Sequence, residues 1–560
     1  MSIKKECYMK KTIAIYGVKD RDNYKYPGFV HDHNICIMDG GKVVDYLHLE
    51  RYTRRKYDNR IDLFLEELIE NKTINIEGEF DIIFVNSFEA NSFISNNGKI
   101  KFESSELFPF PPKLVKSCFC RFNFGNYKFY EPNAYMLSHE LAHIFTNTLF
   151  YGMFKENSLL IHFDGGASVG NFSAYHFKNN QLKFIEAHWE LSHLSKFFND
   201  NALTFAMLNA EPGEHTSVPG KLMGFAAFGK YSEKIEKFLI KNNFFKDIWN
   251  NHEFFFKEAY KEFNIIINKF DTKNKFLQDI AATFQKIFEN TIIKKIKELN
   301  KIYKSDYLYY SGGSSLNIIT NSKILETALF KEVYIPPVNN DSGLSLGAAA
   351  YLEWTKGNKI KKHSPYLNNI GIKQYEKYIY NENLLKDISN LLLKNKIIGI
   401  SNGYAEAGAR ALGNRSIIAL ANSKNLARKV SQDCKNREWY RPIAPIILKS
   451  LANKITGKKI NHLAKFMLLD FKILQSYQNK LEGVIHVNGT SRIQSIEKND
   501  NPFIYDLLTY LFEKHNIYGL INTSFNKRGE PIVHTAKDAL NSAKNMKLDA
   551  VVINYELIIL

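Results

Sequence analysis

The sequence predicts an α/β protein with two domains, and three observations support this prediction. Short runs of β-branched and aromatic residues alternate with longer stretches of helical periodicity along the first part of the chain. A basic, polar segment at 356–366 interrupts the alternation, and the same pattern resumes in the C-terminal third. With 45% hydrophobic and 24% charged residues over 560 positions, the composition is that of folded domains and excludes a disordered chain.

The first domain opens with strand patterns. TIAIYGV begins at Thr12, and NICIMDGGKVVDYLHL follows as two strands joined by the Asp-Gly-Gly turn at 39–41. Further along, SLLIHFDGG predicts another buried strand, which ends at the Asp-Gly-Gly turn at 164–166. Because a strand followed by this acidic turn occurs twice, we predict that the domain contains two duplicated halves.

Later segments continue the alternation. Residues 270–304 have a Lys-rich helical pattern, after which the strand YLYYSGG opens onto a loop and a helix. Beyond the basic segment, the runs IIGISNG, VIHVNG, YGLINTS and DAVVIN predict buried strands separated by helices. The C-terminal third is therefore predicted to be a second α/β domain.

Charge and composition narrow the class of protein. The 75 Lys and Arg exceed the 58 Asp and Glu by 17, a balance that favours nucleic acid, anionic surfaces or phosphorylated small molecules. No apolar run reaches the roughly 18 residues that a membrane span needs. The 5 cysteines lack paired metal-binding spacing. We therefore expect a cytoplasmic protein with reduced thiols and no membrane partner.

A histidine pair is the strongest metal signal. His139 and His143 lie at i and i+4 of a predicted helix, so one ion can bind both. With Glu140 they form the H-E-x-x-H signature of zinc proteases, and a histidine pair without metal is the alternative. Asp164 and Asp341 are candidate carboxylate ligands, although Asp beside Gly is commonly a turn residue. A protease would need a third downstream ligand and would leave the C-terminal arginines unexplained.

A glycine-rich loop is the candidate nucleotide site. Ser311, Gly312, Gly313 and Asn317 lie between a strand and a helix, where backbone N–H groups can hold a phosphate. The loop matches neither the Walker A pattern nor G-x-G-x-x-G. An ordinary strand-to-helix turn therefore remains the alternative.

The C-terminal domain places cations beside Gly, Ser, Thr and Asn rather than on amphipathic helices. Such settings suit the capture of phosphate or carboxylate, whereas an ordinary solvated face is the alternative. The cations in question are Arg410, Arg415, Lys435, Arg437, Arg441, Arg492 and Arg528.

In order and almost end to end, these motifs resemble the ATP-dependent O-carbamoyltransferase family of nodulation-factor, antibiotic and toxin biosynthesis. The N-terminal segments that carry the resemblance are HDHNICIMDGGKVV, LERYTRRKYD, HELAH, FDGG, SGGSSLN and NNDSGLSLGAA. The C-terminal ones are EAGARALGNRS, KNREWYRPIAP, HVNGTSRIQ and NTSFNKRGEPIV.

The resemblance implies a fold and a reaction. It implies a duplicated, actin-like ATPase domain over 1–360, a linker over 361–372 and a domain similar to threonylcarbamoyl-AMP synthase over 373–560. In the family, carbamoyl phosphate and ATP give carbamoyl-adenylate, whose carbamoyl group passes to a hydroxyl of a small-molecule acceptor such as a secondary metabolite or a sugar. Fe(II) or a similar divalent metal is implied in the first domain, and Mg²⁺ is compatible with the use of ATP. A homodimer is the default expectation.

The resemblance also assigns residues. The implied metal ligands are His139, His143, Asp164 and Asp341. The implied nucleotide-binding residues are Gly165, Gly166, Ser311, Gly312, Gly313 and Asn317. The implied carbamoyl-phosphate-binding residues are Arg410, Arg415, Lys435, Arg492 and Arg528. His31 is expected to be the base for the acceptor hydroxyl, and Lys56 an electrostatic clamp.

Two positions depart from the family pattern, and two other functions stay open. Glu140 replaces a second adjacent histidine, and Asn488 replaces the carboxylate of the usual H-V-D-G-T.

A tRNA-modifying, threonylcarbamoyl-type enzyme uses the same two folds, and an RNA-binding protein would suit the positive charge. The fusion of both folds and the C-terminal signatures favour the small-molecule enzymes, and the basic residues form no basic–aromatic stripe. The hydrogenase-maturation carbamoyltransferase has paired-cysteine zinc motifs, which this sequence lacks.

Overall fold

The computed structural model describes residues 10–17, 30–88, 90–125, 127–199, 201–211, 213–246, 248, 251–372 and 377–560. Strands and helices alternate through both parts of the chain, which confirms the predicted α/β class. The predicted start of the C-terminal domain at 373 lies outside the described residues, as does Cys7. Among the helices of the described ranges, none is long and apolar enough to cross a membrane.

The first half of the N-terminal domain forms a sheet with the strand order β3-β2-β1-β4-β8-β7-β6-β5. Its elements are β1 (Lys11–Tyr16), β2 (Asn34–Asp39), β3 (Lys42–His48), α1 (Leu49–Thr53), α2 (Ile61–Glu70), β4 (Phe80–Val85), β5 (Ser92–Ile94), β6 (Ile100–Ser104), β7 (Leu114–Phe124), β8 (Tyr127–Leu137) and α3 (His139–Tyr151).

The second half forms a sheet with the order β11-β10-β9-β12-β13. Its elements are β9 (Ser158–Phe163), β10 (Phe172–Lys178), β11 (Gln181–His188), α4 (Ser192–Asn199), α5 (Ala202–Leu208), α6 (Val218–Ala226), α7 (Glu233–Lys241), α8 (His252–Phe263), α9 (Lys275–Tyr303), β12 (Tyr307–Ser311), α10 (Ile318–Glu326), β13 (Glu332–Tyr334) and α11 (Leu344–Thr355).

The two sheets repeat one topology. In the first, β3, β2 and β1 are antiparallel neighbours, and β4 and β8 continue the sheet in parallel. In the second, β11, β10 and β9 are antiparallel, and β12 and β13 continue it in parallel. This repeat confirms the predicted duplication within the N-terminal domain. The two Asp-Gly-Gly turns do not occupy equivalent positions in this repeat, however. The turn at 39–41 joins β2 to β3, whereas the turn at 164–166 joins β9 to β10, and β2 and β3 correspond to β10 and β11.

Helices α3 and α11 follow the last strand of each half and pack against each other. Gly347 allows this contact, because a Cβ there would lie 1.8 Å from the carbonyl oxygen of Ala142 and 2.7 Å from Oγ1 of Thr146. His139 begins α3, and Asp341 begins the short 3-10 turn (Asp341–Gly343) that leads into α11. The contact between the two helices therefore brings a histidine of one half next to a carboxylate of the other.

Strand β9 is buried on both faces and supplies two cores. Leu159, Ile161 and Phe163 pack with the helical layer of the second half, whereas Leu160 packs with Phe145 of α3. Such two-sided burial explains why the strand has a continuous apolar run instead of an alternating pattern.

The C-terminal domain has a mixed sheet with the order β19-β16-β20-β15-β14-β21-β22. Its elements are α12 (Glu382–Leu393), β14 (Ile398–Ser401), β15 (Arg415–Leu420), α13 (Lys424–Arg428), β16 (Ala444–Leu448), α14 (Lys449–Thr456), β17 (Phe471–Lys472), β18 (Thr490–Ser491), β19 (Gln494–Ile496), α15 (Pro502–His515), β20 (Leu520–Ser524), α16 (Ala536–Asn545), β21 (Ala550–Ile553) and β22 (Glu556–Ile559).

Three of the four predicted C-terminal strands are present as β14, β20 and β21. The prediction for VIHVNG is wrong, because 485–489 form a turn. The backbone N–H of Gly489 donates to the carbonyl of His486 (2.8 Å), and Gly489 has a φ of +77°. Val487 is 60% exposed, so the apolar residues of this run do not share one buried face.

Candidate functional site

Two histidines and two carboxylates meet between the halves of the N-terminal domain. Helix α3 begins at His139, and the Nε2 atoms of His139 and His143 are 3.1 Å apart. Nε2 of His143 lies 3.2 Å from Oδ2 of Asp164 and 3.4 Å from Oδ1 of Asp341. Nε2 of His139 lies 3.7 Å from the same oxygen of Asp341. The structure thus brings together all four residues predicted as metal ligands.

Asp164 also fixes the two glycine-rich loops. Its Oδ1 accepts a hydrogen bond from the backbone N–H of Gly165 (2.6 Å), and its Oδ2 accepts one from Gly313 (2.7 Å). Because Gly165 follows β9 and Gly313 follows the neighbouring β12, one carboxylate aligns the ends of two parallel strands.

The charges of this cluster suit a bound cation. Burial lowers the pKa of His143, but the adjacent Asp164 and Asp341 outweigh that effect and raise it to about 9. Burial and the facing His143 lower the pKa of His139 to about 4. Divalent transition metals such as Fe(II) bind mixed sets of imidazole and carboxylate ligands. The clustered donors of His139, His143, Asp164 and Asp341 form such a set.

A cavity of about 300 Å³ leads from this cluster towards the C-terminal domain. Its wall includes His31, Lys56, Asp164 and Asp341 from the N-terminal domain, and Arg410, Arg437, Arg441, Ser524 and Asn526 from the C-terminal domain. The two domains therefore share one cavity, which the sequence alone did not indicate.

His31 belongs to a chain of hydrogen-bonding groups. Its Nδ1 lies 3.1 Å from Oδ2 of Asp32, and Oδ1 of Asp32 lies 2.9 Å from Nε2 of His48. Burial lowers the pKa of His31, but Asp341 and Asp32 together outweigh burial and raise it to about 9. Asp32 adopts a φ of +58°, and an additional hydrogen bond from the side chain of Asn340 (3.1 Å) holds its carboxylate.

Lys56 faces the cavity while paired with a buried carboxylate. Its Nζ lies 3.1 and 3.0 Å from the two oxygens of Glu50, and 4.5 Å from the ring centre of Tyr57. Glu50 is almost fully buried, so this pair stabilises the ammonium charge at the cavity wall.

The predicted nucleotide residues divide into two groups. Gly165, Gly313 and Asn317 line the cavity, as does Ser314, which the sequence analysis did not single out. The remaining three do not line the cavity and are packed against other parts of the protein. Ser311 is fully buried in β12, a Cβ on Gly312 would lie 2.4 Å from the carbonyl oxygen of Phe163, and Gly166 packs against Phe88 and Trp189.

A cluster of arginines lies at the C-terminal end of the cavity; we call Arg410, Arg437, Arg441 and Arg492 the arginine cluster. Arg410, Arg437 and Arg441 line both the main cavity and an adjoining one of about 100 Å³, whose wall includes Arg492. Burial and the neighbouring arginines lower the pKa of Arg437 to about 9 and of Arg410 to about 10. The buried Nε atoms of Arg410 and Arg492 make no hydrogen bond within the described residues. This concentration of partly unsatisfied cations suits a small anion.

Arg437 and Arg441 were not assigned to carbamoyl phosphate from the sequence. Their spacing of four residues in KNREWYR, beside other cations, was the available signal.

Two predicted anion ligands face other groups. The guanidinium of Arg415 is buried and donates to the carbonyls of Asn402 (2.8 Å) and Gly403 (2.9 Å), among others. Nζ of Lys435 is buried and hydrogen-bonds to the carbonyls of Ser524 and Asn526. In this structure Arg415 holds loops together and Lys435 positions two residues of the cavity wall; the anion-binding role of both residues stays a prediction.

Arg528, whose predicted role in binding carbamoyl phosphate stays a prediction, is paired with carboxylates in this structure. Its Nε and one terminal nitrogen contact the two oxygens of Glu214 at 3.0 and 2.7 Å. The buried Lys221 joins Glu214 (2.6 Å) to Glu438 (2.7 Å), and the same nitrogen of Arg528 lies 3.4 Å from Glu438. This network links the two domains beside the cavity instead of offering a free cation.

The two departures from the family pattern have structural explanations. Glu140 is fully buried and its Oε1 accepts a hydrogen bond from the backbone N–H of Val169 (2.8 Å); burial raises its pKa. Asn488 caps its own turn by accepting hydrogen bonds from the backbone and the hydroxyl of Thr490 (3.1 and 2.8 Å). A neutral amide therefore makes the contacts that the turn requires.

Two family models match this chain, one in each of two separate segments. Residues 25–350 match the family described as carbamoyltransferase N-terminus, and 389–559 match carbamoyltransferase C-terminus. The chain is 30% identical to the uncharacterized protein MJ1051 of Methanocaldococcus jannaschii over 75% of this chain and 82% of that protein. It is 24% identical to nodulation protein NolNO of Sinorhizobium fredii over 95% of this chain and 79% of that protein. A crystal structure of full-length HypF in the phosphate- and nucleotide-bound form is 13% identical, with a TM-score of 0.33 over 63% of this chain and 56% of that one.

Proposed function

Because this chain belongs to the carbamoyltransferase family, we propose that it is an ATP-dependent O-carbamoyltransferase acting on a small-molecule hydroxyl. In the net first reaction, carbamoyl phosphate, ATP and water give carbamoyl-adenylate, phosphate and pyrophosphate. In the second, the acceptor oxygen bonds to the carbamoyl carbon and AMP leaves. The acceptor, such as a secondary metabolite or a sugar, the homodimer and the cytoplasmic location stay predictions.

The shared cavity is the observation that carries this proposal. It joins the histidine–carboxylate cluster of one domain to the arginine cluster of the other. The proposed reaction has an anionic first substrate, which the arginines would bind, and an adenylate intermediate, which the histidine–carboxylate end would bind. A single cavity would also keep the water-sensitive intermediate away from solvent.

The arginine cluster would bind carbamoyl phosphate. Arg410, Arg437, Arg441 and Arg492 offer donors to a small dianion and would stabilise the charge that develops on its phosphate when the carbon–oxygen bond breaks. Lys435 would act indirectly by holding Ser524 and Asn526 at the cavity wall.

The N-terminal part of the cavity would hold the adenylate. The backbone around Gly165 and Gly313 and the side chain of Asn317 would contact its phosphate and ribose. A divalent metal such as Fe(II), held by His139, His143, Asp164 and Asp341, would supply positive charge for phosphate oxygens, and Mg²⁺ would accompany ATP.

His31 would take the proton of the acceptor hydroxyl. It must be neutral to do so, and the carboxylates that raise its pKa also strengthen it as a base. Asp32 would keep the ring oriented through Nδ1 and leave Nε2 for the hydroxyl. Lys56, fixed by Glu50, would place a positive charge beside the departing AMP.

Pyrophosphate release tests the first reaction. The purified protein, loaded anaerobically with Fe(II), is given ATP with and without carbamoyl phosphate and with no acceptor. We expect release that depends on carbamoyl phosphate and is lost in Arg492→Met. The matched control Arg428→Met removes an exposed arginine of α13 and should behave as wild type.

A single-turnover search for carbamoyl-adenylate complements this assay, because turnover can require an acceptor. The absence of both pyrophosphate and carbamoyl-adenylate would refute the proposal. Release of equal size without carbamoyl phosphate would indicate an ATPase instead.

A further inference from the structure

His162 is an imidazole beside the metal cluster that has no role in the mechanism above. It lies in β9, two residues before Asp164. Alternate residues of a strand face the same side, and Leu160 on this side packs in the core that contains Phe145 of α3. His162 therefore faces the helix that carries His139 and His143.

The burial of His162 lacks a compensating contact. The residue has no exposed surface, and both ring nitrogens are without a hydrogen-bond partner within the described part of the chain. A neutral imidazole carries one donor and one acceptor, and each buried polar atom left unpaired costs about 1–3 kcal/mol. A purely structural position on this buried strand would be better filled by an apolar residue.

The position of the ring suits coordination. It stacks on His143 with ring centres 5.1 Å apart and an angle of 24°, and its centre lies 6.2 Å from that of His139. One potential ligand atom each from His139, His143, His162 and Asp164 lie within 4.8 Å of one another. These donors would need only a small contraction to reach one ion at the bond length of about 2.1 Å that is typical of an imidazole nitrogen.

We propose that His162 is a third imidazole ligand of the metal centre. This inference rests on the metal site of the proposed function and extends its ligand set to three nitrogens and the carboxylates of Asp164 and Asp341. Such a set selects Fe(II), Co(II) or Zn²⁺ over Mg²⁺ and Ca²⁺, which prefer oxygen. These residues would hold the ion and would leave it able to bind a substrate oxygen.

Cobalt tests the inference without relying on catalysis. The full chain is loaded anaerobically with Co(II), and X-ray absorption counts the imidazole ligands. We expect three in wild type and two in His162→Phe, which keeps a stacked ring but removes both nitrogens. Competition with a chelator should show an affinity loss beyond the 10- to 100-fold typical of losing a contact outside the ligand shell.

A matched control removes another buried imidazole of the same sheet. In His176→Phe, on β10, the lost contact is with Oδ1 of Asn157 (3.0 Å), so the count should stay at three and the affinity unchanged.

Two outcomes would overturn the inference. A count of two imidazoles in the wild-type protein excludes His162 as a ligand, whether or not His162→Phe folds. A wild-type chain that binds no Co(II) would refute the proposed metal centre itself, so the two failures are distinguishable.

Discussion

The contact between α3 and α11 predicts that Gly347→Ala damages stability and metal binding together. The new Cβ would lie 1.8 Å from the carbonyl oxygen of Ala142, about 1.6 Å short of the 3.4 Å at which ordinary contact begins. Since that oxygen is backbone, the helices themselves must separate. We expect a loss of about 1–3 kcal/mol in the free energy of unfolding, the usual cost of overpacking.

The same displacement should reach the metal ligands, because α3 starts at His139 and α11 follows Asp341. Metal–ligand distances tolerate about 0.2 Å, so we expect the affinity for Co(II) to fall at least 10-fold. Urea unfolding and Co(II) titration measure the two effects. Gly220→Ala, where a Cβ meets no atom within 4 Å, serves as the stability control. Wild-type affinity in a destabilised Gly347→Ala would refute the argument that helix packing sets the ligand geometry.

Three further predictions concern charge and catalysis. Burial raises the pKa of Glu214, but hydrogen bonds from Arg528 and Lys221 outweigh burial and lower the pKa from 4.5 to about 2. The shift contributes about 3 kcal/mol to the free energy of unfolding above pH 4.5, and this contribution is lost as the pH falls through 2. The acid unfolding of Glu214→Gln should lack this component. Arg437→Met should reduce carbamoyl-phosphate-dependent pyrophosphate release about 100-fold or more, and an unchanged rate would remove it from the anion site. His31→Ala should retain pyrophosphate release but lose transfer to an acceptor, and full transfer in that variant would exclude His31 as the base.

Local sequence patterns predicted much of the fold, but composition alone failed where a turn glycine determines the backbone. The helix at HELAH and the strand before SGGSSLN follow from periodicity within a few residues. The VIHVNG run has the composition of a strand, yet a turn closed by Gly489 determines its shape.

The metal cluster and the anion site differed in predictability for a physical reason. Two ligands of the cluster share a helix, so their spacing alone indicates proximity. Arg410 faces the cavity, whereas the guanidinium of Arg415, five residues further along the chain, is enclosed by backbone carbonyls. No local sequence pattern distinguishes the two arginines. The partner of Arg528 is Glu214, more than 300 positions away, and only the assembled domains show that pair.

The arginine cluster places stability and function in opposition. A guanidinium keeps its charge in proteins, so the lowered pKa values of Arg410 and Arg437 express burial and mutual repulsion. Glu214 and Glu438 pair with Arg528, and Glu438 also lies 3.4 Å from Arg441, whereas the buried Nε atoms of Arg410 and Arg492 have no hydrogen-bond partner within the described residues. Optimising stability alone would place such carboxylates among all these cations. Their concentration beside a cavity therefore favours an anionic substrate as the group that completes the site, and its binding would stabilise the folded chain by about 2.7 kcal/mol at 100 times the Kd.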